Sequence, residues 1–311
     1  MLKIIEFSKN KIRILDNLDA IKGKVWIDVT NITKEEAQPL QDKFNLHILT
    51  IDDLVHARTR IKVEQFPNYL FCVFYALRKD KSIKPDEIDF VVGKSFLITN
   101  HVNHSQVIEQ LQQNTEFLTK LFSRGIDFVF YRILHSQVDT FFPVLSTMDG
   151  EIERVEREIT EHPSPELLRH VMQLKKSVVS VKKIVLPQRE KIADLAKNEY
   201  PFISKKAVPY FRDIHDHSVR VYEAIENYRE SVSSVYELYM SAVSNNMNEV
   251  IKVLSIIATS ALPLTVISGI YGTNFSWLPG ATSPYGFWIM IMLMILVMIV
   301  LILFFKRKRW L

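Results

Sequence analysis

The sequence predicts a membrane protein built from an N-terminal α/β domain, a long helical stalk and two C-terminal transmembrane helices. Three observations lead there. Residues 253–305 contain no Asp, Glu, Lys, Arg or His, and the polar turn Tyr271-Gly272-Thr273-Asn274-Phe275 divides them into two bilayer-length apolar runs. Ahead of the first run there is no Gly between Pro209 and Ser268 and no Pro between Pro209 and Pro263, so one helix of roughly 90 Å can feed into the membrane. The first hundred residues, by contrast, alternate β-branched and aromatic stretches with helical periodicity.

In chain order, residues 2–7, 25–29, 69–77, 87–92 and 95–100 read as strands. Residues 33–44 read as a helix behind Thr33, with Glu36 at the capping-box position. From His104 the β-signals fade, and 105–122, 127–160 and 165–197 read as three helices, with breaks near Gly125 and at His162-Pro163-Ser164-Pro165. The expected organisation is an α/β domain at 1–103, a helical region at 104–204, a stalk at 205–252, a first transmembrane helix at 253–272, an external loop at 273–285, a second transmembrane helix at 286–305 and a basic tail at 306–311.

The second apolar run is about 20 residues, or roughly 30 Å of helix, which matches a hydrocarbon core. The first is interrupted by Ser255, Thr259, Ser260, Pro263, Thr265 and Ser268, which are costly against lipid and tolerable on a protected face; it should be the inner helix. Lys306, Arg307, Lys308 and Arg309 follow the second run and hold that end on the cytoplasmic side, against anionic lipid. Two spans return the chain to its starting side, so both termini are expected in the cytoplasm of a plasma or inner membrane protein. Residues 1–10 carry no apolar core of signal-peptide length.

Charged residues make up 24% and the net charge is +4, as for an ordinary polar-surfaced fold joined to apolar spans; nucleic acid is not implied. The single Cys72 lies in an apolar strand run and supports no intramolecular disulfide framework. There is no Walker sequence, no nucleophile with a base partner and no His/Glu zinc signature, so the chain does not read as an enzyme.

A stripe at spacings of three and four runs along the membrane half of the long helix: Asn248, Ile251, Ser255, Ala258, Leu262, Thr265, Gly269 and Gly272. Such a face of small and polar residues either packs tightly or lines a narrow channel. One inner helix cannot enclose a pore, so the channel reading requires several copies. The apolar segment offers no His, Cys or carboxylate, only hydroxyl, amide and carbonyl oxygens, which suit a hard cation that keeps its water. Gly272 carbonyls and Asn274 amides could hold the hydration shell of Mg²⁺ by hydrogen bonds.

Together these residues resemble the CorA magnesium transporters. The resemblance is carried by Trp26-Ile27-Asp28-Val29-Thr30, Leu46-His47, Asp52-Asp53-Leu54, Lys62-Val63-Glu64, Pro209-Tyr210-Phe211-Arg212-Asp213, Asn248-Glu249-Val250, Pro263-Leu264-Thr265, the Tyr-Gly-Thr-Asn-Phe turn and the tail ending Trp310-Leu311. It implies a funnel-shaped homopentamer that passes hydrated Mg²⁺, and Co²⁺ or Ni²⁺, inward. The family's Gly-Met-Asn selectivity motif falls on Gly272, Thr273 and Asn274, with Thr in place of Met. Asn248, Ile251, Leu254, Leu262 and Thr265 match pore-lining positions. Asp53 and Asp213 match the acids of a regulatory Mg²⁺ site between neighbouring subunits, and Asp52 matches an acid of a second site nearby.

The chain departs from the family in two places. His135 stands where the second site has an acid, with Asp139 one turn on, so the charge and pH dependence of that site are expected to differ. The outer turn at 276–285 has no acidic residue to concentrate cations. The alternatives are a Zn²⁺ transporter of the same superfamily, similar to ZntB proteins, and a membrane-anchored signalling or scaffold protein, which needs no polar stripe. The triplet His215-Asp216-His217 has metal-binding residue types, but positions two apart on a helix face different ways, which argues against a joint site.

Overall fold

The computed structural model describes residues 2–56, 59–80, 83–275, 278–280 and 283–310. Of the expected outer turn, Ser276, Trp277, Ala281 and Thr282 lie outside the described residues, as does Leu311 of the tail. The chain divides into two compact units, residues 1–158 with 164–236, and residues 159–163 with 237–311.

The first unit is organised by a seven-stranded sheet of β1 (Leu2–Ser8), β2 (Lys11–Leu15), β3 (Lys24–Thr30), β4 (Lys62–Gln65), β5 (Tyr69–Lys79), β6 (Ile83–Gly93) and β7 (Phe96–His101), in the order β2-β1-β3-β7-β6-β5-β4. Among the described strands only β3 and β7 pair in parallel, with Ile27 opposite Ile98. Successive side chains of a strand point to opposite faces. Thus Trp26, Leu70, Cys72, Phe74 and Phe90 enter one core, and Ile27, Tyr69, Phe71, Val73 and Val91 enter the other. Burial on both faces explains why the central strands read as nearly continuous apolar runs. It also pushes the Cys72 thiol well up from its usual range, leaving an inert core thiol.

Two short helices, α1 (Lys34–Phe44) and α2 (Ile48–Val55), cover one face, and their Leu40, Ile51 and Leu54 complete that core. The expected capping box is present: Glu36 N donates to Thr33 Oγ1 at 3.3 Å, and Thr33 N donates to Glu36 Oε2 at 3.2 Å. The opposite face is covered by α3 (Gln106–Gln113), α4 (Thr115–Arg124), α5 (Ile126–Asp139), the end of α7 (Pro165–Lys197) and the start of α8 (Val208–Tyr271).

Two of the three helices read from the sequence are divided. The segment 105–122 breaks at Asn114, which leaves helical geometry so that its side chain can accept from Phe117 N at 3.0 Å and cap α4. The segment 127–160 breaks at Thr140 between α5 and α6 (Phe141–Glu161). Pro143 has no N–H to give the Asp139 carbonyl, and Thr140 Oγ1 instead accepts from Leu77 N at 2.9 Å, tying the break to β5. The third, 165–197, is the single helix α7.

Helix α8 is continuous for 64 residues, about 96 Å, and contains Pro263. Its last part and α9 (Gly286–Arg307) are long and apolar enough to cross a membrane, with mean hydropathies of 2.1 and 3.2 in their most apolar windows.

Candidate ion pathway and metal centre

In the second unit, the stripe follows from helix geometry. At 100° per residue Asn248, Ile251, Leu254, Leu262 and Thr265 fall within about a third of the circumference of α8. All five are exposed in the isolated chain, Leu254 and Leu262 by 64% and 66%. Two hydroxyls of this segment bond back to the helix: Thr265 Oγ1 donates to Ala261 O at 2.9 Å, and Ser268 Oγ to Thr265 O at 3.1 Å. Back-bonding of this kind lets polar residues sit at membrane depth without orphan donors.

The helix stops at Tyr271, and the turn is built by its last carbonyls. Gly272 N donates to Ser268 O at 2.8 Å, and Thr273 Oγ1 to Ile270 O at 2.7 Å. A Cβ on residue 272 would sit 3.0 Å from Ser268 O, so Gly is the residue that fits this approach without displacement. Tyr271 OH donates to Pro279 O at 3.1 Å and anchors the outer turn. Gly272, Thr273 and Asn274 are all exposed, and the Asn274 side chain makes no hydrogen bond to another described residue. A carboxamide in that setting is available to water or to a hydrated ion.

In the first unit, the acids singled out from the sequence are distributed unevenly. Asp53, near the end of α2, is paired with Lys62 of β4 at 2.5 Å, and the same ammonium lies 3.3 Å from Glu64. Asp52 faces His56 instead, with Oδ1 3.1 Å from its Nδ1. His135, Asp139 and Asp213 are brought together: His135 Nδ1 lies 3.0 Å from Asp139 Oδ2, and its Nε2 lies 3.5 Å from Asp213 Oδ2. His217 completes the group, its Nδ1 3.2 Å from Asp139 Oδ1. The hydroxyl of Tyr131 beside the cluster is pushed up by burial and by the Asp213 charge.

The sequence reading missed His217 because it weighed only the triplet 215–217. His215 does face elsewhere, and its nearest recorded carboxylate is Asp216 at 3.7 Å. The legible signal was a pair of i,i+4 spacings, His135 with Asp139 on α5 and Asp213 with His217 on α8, each of which puts two donors on one helix face.

The description "CorA-like Mg2+ transporter protein" matches residues 22–307. The chain belongs to that family. It is 32% identical over 296 residues to the cobalt/magnesium transport protein CorA of Thermotoga maritima, covering 92% of this chain and 83% of the relative. In fold it is similar to the complete structure of the CorA magnesium transporter of Methanocaldococcus jannaschii, with a TM-score of 0.88 over 100% of this chain and 99% of that one at 23% identity. The ZntB cytoplasmic domain of Vibrio parahaemolyticus matches 79% of this chain and 98% of its own at TM-score 0.66 and 15% identity. The CorA family comprises membrane transporters of divalent cations, and the N-terminal α/β domain, long helix and two apolar C-terminal helices fit that architecture.

Proposed function

We propose that this CorA-family chain assembles as a homopentamer in a plasma or inner membrane and passes hydrated Mg²⁺, with Co²⁺ or Ni²⁺ as further substrates, inward down the electrochemical gradient. The observation that carries the proposal is the exposed stripe on α8 ending in an exposed Gly272-Thr273-Asn274 turn that offers neutral oxygens and no charge. A filter of carboxylates would hold Mg²⁺ tightly. Amide and carbonyl oxygens accept hydrogen bonds from its bound water and release it again. Ile251, Leu254 and Leu262 are the constrictions, able to close by dewetting, with the polar Asn248 and Thr265 at either end of the series.

In this reading the first transmembrane helix is 253–272, the external loop 273–285, the second transmembrane helix 286–305 and the tail 306–311, with the α/β domain (1–103), helical region (104–204) and stalk (205–252) cytoplasmic. Cytoplasmic Mg²⁺ closes the pore by joining Asp53 of one subunit to Asp213 of the next, with Asp52, His135 and Asp139 beside them. The Lys62 ammonium on Asp53 is a tethered cation that Mg²⁺ has to displace. The exposed Ile48 and Leu49 on the first turn of α2 supply apolar area for such an interface.

Uptake of Mg²⁺, Co²⁺, Ni²⁺ and Zn²⁺ by liposomes containing the purified protein tests the reading. Asn274→Ala should reduce Mg²⁺ uptake to the protein-free background with unchanged particle size, and unaltered uptake would sink the filter assignment. Thr273→Met should retain function. A ranking led by Zn²⁺ would favour the ZntB-like alternative, and no uptake of any ion would favour an anchored scaffold.

A further inference from the structure

The stretch Trp26-Ile27-Asp28-Val29-Thr30 has no part in the proposed pathway, yet its Asp28 anchors a largely buried polar network in the first unit. The directions of the hydrogen bonds follow from groups that can act in one way only. Trp26 Nε1 can only donate, and it donates to Thr99 Oγ1 at 2.9 Å, so the Thr99 hydroxyl gives its own hydrogen to Asp28 Oδ1 at 2.6 Å. The Lys3 ammonium likewise can only donate. It donates to Gln112 Oε1 at 2.7 Å, which turns the Gln112 amide so that Nε2 donates to Asp28 Oδ2 at 2.9 Å. Asp28 therefore accepts on both oxygens and is held as a carboxylate, an anion on the face of the sheet that carries Trp26, Ile88 and Leu97 into the core.

His101, also buried, completes the network. Its Nδ1 lies 2.6 Å from the Asn103 carbonyl, in the connection from β7 to α3, and its Nε2 lies 3.2 Å from Asp28 Oδ1. Both of these oxygens can only accept. A neutral imidazole has one N–H to give, and an imidazolium has two. With its hydrogen on Nδ1, a neutral ring would turn the Nε2 lone pair on a buried anion; with the hydrogen on Nε2, the lone pair would face the carbonyl instead. We propose that His101 is a proton-operated clasp: as an imidazolium it joins the connection into α3 to Asp28 of β3, and loss of its proton loosens residues 102–113 from the sheet. Nε2 makes no aligned hydrogen bond among the described residues, so that half of the clasp is a charge pair, and it vanishes with the proton.

The surrounding charges leave Asp28 as the group that decides the titration. Burial by itself disfavours the imidazolium, but Asp28 and the Asn103 carbonyl favour it, and the His101 pKa is raised from its ordinary value against some opposition from the amino-terminal charge. The other ionisable groups nearby have partners of their own. On β1 the Lys3 ammonium is engaged by Gln112, and Glu109 of α3 pairs with His104. Asp86 of β6 accepts from Asn103 Nδ2 at 2.8 Å and pairs with Arg78. On α5, Asp127 accepts from Ser204 N at 2.9 Å, and Arg132 lies over the Phe117 ring. Because the pKa is raised in the fold, the clasp is complete below the ordinary histidine range and is lost as pH rises through the raised value. Its effect does not end at α3. Ile108 and Leu111 of α3 share their core with Phe130 of α5 and Phe211 of α8, so a proton on His101 bears on the packing that seats the long helix.

The test is amide hydrogen exchange of the full-length protein in detergent, followed by mass spectrometry between about pH 6 and about pH 8.5 and corrected for the intrinsic base catalysis of exchange. Protection of residues 102–113 should fall roughly threefold to tenfold across that range, the factor that goes with one hydrogen bond, while residues 34–44 of α1 stay level. His101→Gln never titrates and should show the low protection at every pH. His104→Gln, which changes an exposed neighbour outside the network, should keep the native profile. A level profile for 102–113 in the native chain, a measurement that depends on no variant folding, overturns the clasp. So does a native-like fall in His101→Gln. Because exchange is read without ion transport, either result leaves the uptake experiments to be judged on their own.

Discussion

Trp26 in β3 and Leu254 in α8 are both large apolar side chains, yet Trp26 is fully buried and Leu254 is 64% exposed. The contrast holds across the two units. In the first, Phe74, Phe90 and Phe130 fill the core on one side of the sheet, and Phe71 and Val91 help to fill the core on the other. In the second, Ile257, Val266, Met292 and Leu303 all stand open. Burying such side chains is worth roughly 1.5–3 kcal/mol each, so a chain does not leave a row of them in water. The first unit completes its own core. The second has its apolar surface completed by surroundings, lipid around α9 and, in the proposed pentamer, other copies along the α8 stripe.

The comparison can be sharpened by deleting similar apolar groups in each unit. Phe90→Ala opens a cavity in a closed core and should cost about 3–5 kcal/mol, enough to lower or abolish the cooperative unfolding transition of the first unit. Met292→Ala on the outward part of α9 should leave that transition unmoved, as read by thermal melting in detergent. Equal losses at both positions would mean that the second unit has a packed core of its own.

Which exposed residues meet other copies is a question of assembly, since Ile251 and Leu296 are exposed alike in one chain. Cysteines at Ile251, Leu254 and Leu262 should form cross-links between subunits on mild oxidation, and one at Leu296 should not. Native mass measurement should give five chains per particle. A transporting monomer or dimer would break the contrast drawn above.

Much of this division was legible in the sequence. The apolar spans, the 64-residue helix and the central strands announce themselves through length and continuous hydrophobicity, because burial on two faces or in lipid tolerates little else. The edges were not legible. Strands β2 and β4 have only five and four residues and lie at the two ends of the sheet, where half the surface is open and the pattern is diluted by Lys, Arg, Glu and Gln. Helix α2 was missed because eight residues with Asp52 and Asp53 at one end give barely two turns of periodicity. In the cluster of His135, Asp139, Asp213 and His217, the i,i+4 spacings state each pair on its own helix, but the packing of α5 on α8 that joins the two pairs is stated by no local spacing.

Regulation offers a third test, of smaller effect. Asp53→Asn with Asp213→Asn should remove the protease resistance that millimolar Mg²⁺ gives the first unit. Lys62→Met should instead increase sensitivity, lowering the protective Mg²⁺ concentration about two- to fivefold, since it removes a competing ammonium whose ion pair is worth up to about 1 kcal/mol. Full protection of the double variant would make these acids ordinary surface residues.

The last test concerns a carboxyl that the first unit buries at a cost. Asp89 of β6 is buried between the sheet and α2, accepts from Asn100 Nδ2 at 2.8 Å, and has no hydrogen bond to Oδ1 among the described residues. Burial pushes its pKa well above the usual carboxylate range, and the neighbouring charges of Glu87 and Asp53 add to the shift. The folded chain therefore holds this proton more tightly than the unfolded chain does. Below the unfolded carboxylate range both states are protonated and the full stability is present. As pH rises, the unfolded state ionises first, and stability falls until the folded group also loses its proton. Asp89→Asn keeps the acceptor for Asn100 and never ionises, so it should match the native chain near pH 4 and exceed it at neutral pH, by about 1–2 kcal/mol. Thermal melts at the two pH values read this directly; a variant less stable than the native chain at neutral pH would show that the ionised carboxylate is held by compensating contacts.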